Sequence, residues 1–81
     1  MTEKQKSDFY KNVRCAMINA GIGFSAVQAL CNDIRERNGK KRVSTRFINM
    51  MMSGVKRPSD ELFEAMEQLC GVSREELTRA R

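Results

Sequence analysis

Five times along this 81-residue chain a serine precedes apolar residues spaced three and four apart, and four of these runs stop at a glycine. A serine ahead of a helix accepts a hydrogen bond from the backbone N–H groups that the first turn leaves unpaired. A glycine just past the last turn takes the left-handed conformation that closes a helix. Spacing of three and four gathers the apolar residues onto one face of a 3.6-residue helix. β-Branched residues are sparse and strict alternation is absent, so no strand is predicted. The pattern restricts the chain to an all-α fold of five short helices, with a core of aliphatic residues, methionine and phenylalanine.

Ser7 opens a helix over about Asp8–Ala20, closed by Gly21, with Phe9, Val13, Ala16, Met17 and Ala20 on its inner face. Ser25 opens a second, with Val27, Leu30, Cys31 and Ile34 inward, running on to Arg37 before the stop at Asn38-Gly39. Ser44 opens a third that ends at Gly54, with Val43 as an anchor ahead of it and Ile48 and Met51 inward. Of Met50-Met51-Met52, helical geometry turns one residue to the core. Pro58-Ser59 opens a fourth, whose first turn holds Asp60 and Glu61, complementing the helix dipole. Phe63, Met66 and Cys70 line its inner face, Leu62 and Leu69 flank it, and Gly71 ends it. Ser73-Arg74-Glu75-Glu76 has the form of a capping box and opens a short fifth helix. Met1 to Lys6 is polar and is expected to be a disordered tail (1–6), leaving 7–81 as one domain.

The net charge of +5 is unevenly placed. Residues 1–34 carry +1, residues 35–57 carry +7 and residues 58–81 carry −3. A concentrated basic block is the electrostatic footprint of a protein that meets phosphates. No stretch approaches the ~20 apolar residues of a membrane span. The basic residues fall in loops rather than along an amphipathic helix, which disfavours binding to a membrane surface. Cys15, Cys31 and Cys70 are odd in number, none has CxxC spacing, and the chain has no histidine. A zinc site or disulfide framework does not fit this set. The three are expected as reduced, buried small hydrophobes of a cytoplasmic protein. The same inventory argues against an enzyme, since no histidine can act as base and no cysteine has an evident activating partner. Gly21-x-Gly23 follows a helix, so it is no dinucleotide loop. No cofactor, metal or small-molecule ligand is predicted.

The stretch Val43–Leu77, VSTRFINMMMSGVKRPSDELFEAMEQLCGVSREEL, resembles the λ-repressor/Cro-like (Xre-type) family of helix-turn-helix regulators. The landmarks are Val43-Ser44 at the start of the recognition helix, Gly54 at its end, the basic Lys56-Arg57, Pro58-Ser59, and Gly71-Val72-Ser73. Upstream, Leu30-Cys31-Asn32-Asp33-Ile34 is similar to the end of the family's second helix. One departure stands out: Arg35 to Arg42, RERNGKKR, replaces the family's tight turn, so the connection between helices 2 and 3 is lengthened.

The resemblance implies a five-helix helix-turn-helix domain with helix 3, about Thr45–Ser53, in the major groove of double-stranded DNA. Thr45, Arg46, Asn49 and Met50 would then meet base edges. Arg46 is suited to a guanine, Asn49 to an adenine and Met50 to a thymine methyl. Lys40, Lys41, Arg42, Ser44, Lys56 and Arg57 would grip phosphates, which position the domain without specifying sequence. Phe47 is expected to pack against the 35–42 segment or a partner rather than to read DNA. The function so implied is a transcription regulator, a dimeric repressor or autoregulator of phage or mobile-element type, cytoplasmic and nucleoid-associated, with helix 5 and Ala80-Arg81 as the dimer surface. The alternative is a non-enzymatic protein-interaction module, antitoxin-like or regulator-binding, that keeps the fold and uses exposed Phe47, Met50 and Met52.

Overall fold

In the computed structural model, which describes residues 1–81, five helices follow one another without a strand. They are α1 (Glu3–Ala20), α2 (Phe24–Arg37), α3 (Thr45–Met52), α4 (Asp60–Cys70) and α5 (Arg74–Thr78).

The first helix begins at Glu3 rather than near Asp8, so the expected disordered tail is helical from its third residue. The reason is a capping box at Thr2. Its hydroxyl accepts from the Gln5 amide at 3.1 Å, and the Gln5 side chain accepts from the Thr2 amide at 2.8 Å. Ser7 becomes an interior residue. At the other end Gly21, at φ 69°, turns the chain, and the Gly21 and Ile22 amides donate back to the Ile18 and Met17 carbonyls. The path bends by 104° between α1 and α2. Gly23, not Ser25, is the cap of α2, and it offers no side-chain hydrogen bond.

The long connection after α2 is ordered by its own backbone. The helix runs to Arg37, Gly39 takes φ 74°, and the Gly39 and Lys40 amides donate to the Glu36 and Arg35 carbonyls. The chain then returns extended. Asn32, buried on α2, pairs with Val43 through both backbone groups, and Ser44 caps α3 by accepting from the Phe47 amide at 3.1 Å. RERNGKKR is thus the end of α2, a closing motif and a short return strap.

The core gathers Phe9, Val13 and Met17 of α1, Val27, Cys31 and Ile34 of α2, Ile48, Met51 and Met52 of α3, Leu62, Ala65 and Met66 of α4, and Leu77 of α5. Each large aliphatic or aromatic side chain buried this way contributes about 1.5–3 kcal/mol. α4 is the hub, packed on α2, α1 and α3, while α5 lies on α1.

That arrangement corrects several expectations. On α4, Leu62 and Ala65 are buried with Met66, whereas Phe63, Leu69 and Cys70 are half-buried. With helices on several sides, the hub buries a broader and shifted arc than one amphipathic stripe. Phe63 instead meets Phe9 edge to face at 6.0 Å and carries the Arg74 guanidinium 4.2 Å above its ring. On α3, Met52 is buried along with Met51, because the helix is packed by both α1 and α4. Ala20 is exposed and Leu30 is half-buried. Cys15 is exposed on α1, so only Cys31 is the fully buried small hydrophobe expected of all three cysteines, and all three are free thiols.

The C-terminal residues are strapped to α1. Asn12 Nδ2 donates to the Leu77 and Arg79 carbonyls, both at 2.9 Å, and the Arg81 amide donates to Asp8 Oδ2 at 3.3 Å. Leu77, the apolar residue that α5 would have offered a second copy, is buried within the chain. No single helix is long and apolar enough to cross a membrane.

Candidate nucleic-acid interface

α3 is short because Ser44 starts it and Gly54, at φ 79°, stops it. Ile48, Met51 and Met52 face the core, so the remaining arc of the helix faces outward by geometry. Thr45, Arg46, Phe47 and Asn49 are exposed and Met50 is half-buried. All four residues expected to meet base edges therefore lie on the open side of one anchored helix.

They are not alone there. Thr45, Arg46, Asn49 and Met50 share a shallow groove of about 520 Å³ with Met52 and Ser53 of the same helix end, Tyr10 of α1 and Phe24 of α2. Arg14 reaches over this edge, its guanidinium 5.7 Å from the Tyr10 ring centre and 5.8 Å from that of Phe24, and donates to the Tyr10 hydroxyl at 2.8 Å. Gln28 Nε2 donates to Asn49 Oδ1 at 3.0 Å, which leaves the Asn49 NH₂ and one lone pair of Oδ1 available to an outside partner. Tyr10, Arg14, Phe24 and Gln28 were missed in the sequence. The available signals were the spacing of four between Tyr10 and Arg14 and between Phe24 and Gln28, which stacks each pair on one helix edge.

The expected phosphate contacts divide into two groups. Lys41, Lys56 and Arg57 are exposed and enter no ion pair, and the same is true of Arg46. Lys40 and Arg42 are already engaged. Lys40 Nζ lies 2.9 Å from Glu61 Oε2, and Arg42 lies 2.7 Å from Glu36 Oε1 and 3.9 Å from Asp33. The Ser44 oxygen accepts one bond as helix cap, and its hydrogen stays able to donate outward. Lys40 and Arg57 also border a second, larger cleft of about 890 Å³ around the start of α4, which none of the outward α3 residues lines.

Glu61 explains why Lys40 is engaged. Only 3% exposed, it accepts from Lys40 Nζ at 2.9 Å and from Asn38 Nδ2 at 3.1 Å through Oε2, while Arg35 stands 3.8 Å from Oε1. Oε1 itself has no hydrogen-bond partner. The Lys40 hydrogen bond, helped by Asn38, holds its carboxyl below the usual carboxylate range against the opposing effect of burial. The lengthened connection is thereby pinned to α4, and the cations it spends there are not free for phosphates. Lys6 was also missed. The Gly54 turn comes so close to α1 that a Cβ built on it would sit 3.1 Å from Lys6 Cα, which brings Lys6, itself paired with Glu3 at 3.3 Å, beside the loop carrying Lys56 and Arg57.

Compared with known protein families, with curated proteins and with solved structures, the chain matches none.

Proposed function

We propose that this chain is a sequence-specific, double-stranded DNA-binding transcription regulator of the λ-repressor/Cro-like kind, acting without catalysis as a dimeric repressor or autoregulator, with α3 as its recognition helix. The observation that carries this reading is the two-sidedness of α3. Its core side is fully buried through Ile48, Met51 and Met52, while Thr45, Arg46, Asn49 and Met50 stand open, and the unpaired cations Lys41, Lys56 and Arg57 flank it in sequence. Exposed polar residues on a rigid two-turn helix can reach base edges in a major groove, and flanking cations can take phosphates on either side.

The family landmarks Val43-Ser44, Gly54, Pro58-Ser59 and Gly71-Val72-Ser73 support the reading, since they fall at the ends of α3, α4 and α5. The phosphate grip is assigned to Lys41, Lys56 and Arg57, with Lys40, Arg42 and Lys6 engaged by Glu61, Glu36 and Glu3. The interaction-module alternative rests on exposed Phe47 and on Val55, which is 59% exposed; Met52 no longer contributes to it, being buried.

The deciding experiment is selection of duplexes from a random pool, followed by affinity measured against salt. A regulator enriches a defined motif and loses affinity steeply as salt rises, because phosphate contacts release counterions. An interaction module enriches no motif, and any residual binding is the same for all duplexes, a purely electrostatic attraction that vanishes as salt rises.

A further inference from the structure

The groove beside α3 has a chemical character that its helix alone does not explain. Thr45, Arg46 and Asn49 are polar, yet the surface they border is built from Tyr10, Phe24 and Met50, drawn from three helices, with buried Met52 beneath. Tyr10 and Phe24 are each 39% exposed, which places two aromatic rings in water beside Arg14 and Arg46. Arg14 covers part of each ring and bonds the Tyr10 hydroxyl, so the rings are held in place and a second cation joins Arg46 at the same edge.

An apolar floor bordered by two cations, Arg14 and Arg46, suits an anionic partner that carries a small apolar group. In the major groove of B-DNA the one apolar group a base pair presents is the C5-methyl of thymine. We infer that the Tyr10–Phe24–Met50 surface is a thymine-methyl pocket, which reads a thymine next to the guanine taken by Arg46. This rests on the DNA-binding reading of α3 and adds that α1 and the start of α2, not the recognition helix alone, set part of the sequence preference. Met50 lines the groove beside Arg46 on α3, so methyl and guanine would belong to neighbouring base pairs. The groove, at about 520 Å³, admits the edge of a base rather than a methyl group alone.

The test uses the full chain and a duplex that it has itself selected. Thymines are replaced one at a time by deoxyuridine, which removes only the methyl group, and affinity is measured for the protein and for its Phe24→Ala and Tyr10→Ala variants. Far-ultraviolet circular dichroism checks that each variant is folded, with Phe24→Leu in reserve if Phe24→Ala is not. The expected result is one thymine per half-site whose replacement weakens the unaltered protein about four-fold, the worth of one buried methyl group. Phe24→Ala should bind the thymine duplex more weakly and no longer distinguish it from the uracil duplex. If no position senses the methyl, or if Phe24→Ala and Tyr10→Ala discriminate as well as the unaltered protein, the pocket is refuted while DNA binding stands. Failure to bind any duplex overturns the regulator reading and this inference together.

Discussion

The side-chain amide of Asn32 takes both polar groups of the Val43 backbone, donating to its carbonyl at 3.0 Å and accepting from its amide at 2.9 Å. Asn32 is 6% exposed, so this pair is made largely out of water and stands in for the ladder partner that the extended strap lacks. It fixes where the return from α2 ends and therefore where Ser44 can begin α3. Asn32→Leu leaves the half-buried Val43 N–H and C=O without their partner and should destabilise the fold by about 1–3 kcal/mol. Urea denaturation would measure this, and a loss below about 0.5 kcal/mol would show that the strap is held by other contacts.

Glu61 makes stability depend on pH in a stated direction. Its carboxyl is held below the usual range by Lys40 and Asn38, so the folded chain keeps it ionised at pH values where the unfolded chain is already protonated. The stabilisation is complete above the ordinary glutamate value of about 4.3 and is lost as pH falls through the lower folded value. Asp8, lowered by Lys4 and by the Arg81 amide, adds to the same trend. The melting temperature should drop on acidification below about pH 4. Glu61→Gln should reduce the steepness of that drop, and an unchanged slope would remove Glu61 from the account.

Gly54 should not tolerate a side chain. It sits at φ 79°, and an added Cβ would approach Lys6 Cα to 3.1 Å, a backbone atom that can move only with α1. Gly54→Ala combines left-handed strain with this close approach and should cost about 1–3 kcal/mol. Gly39→Ala, with φ 74° but nothing within 4 Å, should cost less. Thermal melts of the two variants compare the effects directly, and equal losses would mean that the contact with Lys6 adds nothing.

Two substitutions separate base reading from phosphate gripping. Arg46→Ala should relax preference at one base position and cost about 1–3 kcal/mol on the preferred duplex alone. Lys56→Ala should weaken all duplexes alike and reduce the slope of log affinity against log salt by about one. Selection from a random pool with each variant distinguishes the two patterns. An Arg46→Ala variant that selects the same motif would mean α3 does not read bases through Arg46.

Much of the fold was legible because the signals were local. Ser44, Ser59 and Ser73 cap the helices they precede, and Gly21, Asn38-Gly39, Gly54 and Gly71 mark the ends. A cap hydrogen bond spans three residues and a helical face repeats every three or four, so both are written in neighbouring letters of the chain. The Thr2–Gln5 capping box at the start of α1 is equally local, but it lies within polar residues whose composition is that of a disordered tail.

What the chain's own order of residues determined, then, is five helices, the serine caps of the last three and the outward arc of α3. The tertiary structure alone decided that Tyr10 and Phe24 flank that arc, that Asn32 locks Val43, and that Lys40 is spent on Glu61 rather than left for a phosphate. Each of these joins groups on different elements, eleven to more than thirty residues apart, as in Asn32–Val43, Lys40–Glu61 and Tyr10–Arg46. Helical periodicity says which face of a helix is buried, but it says nothing about which other helix that face will meet.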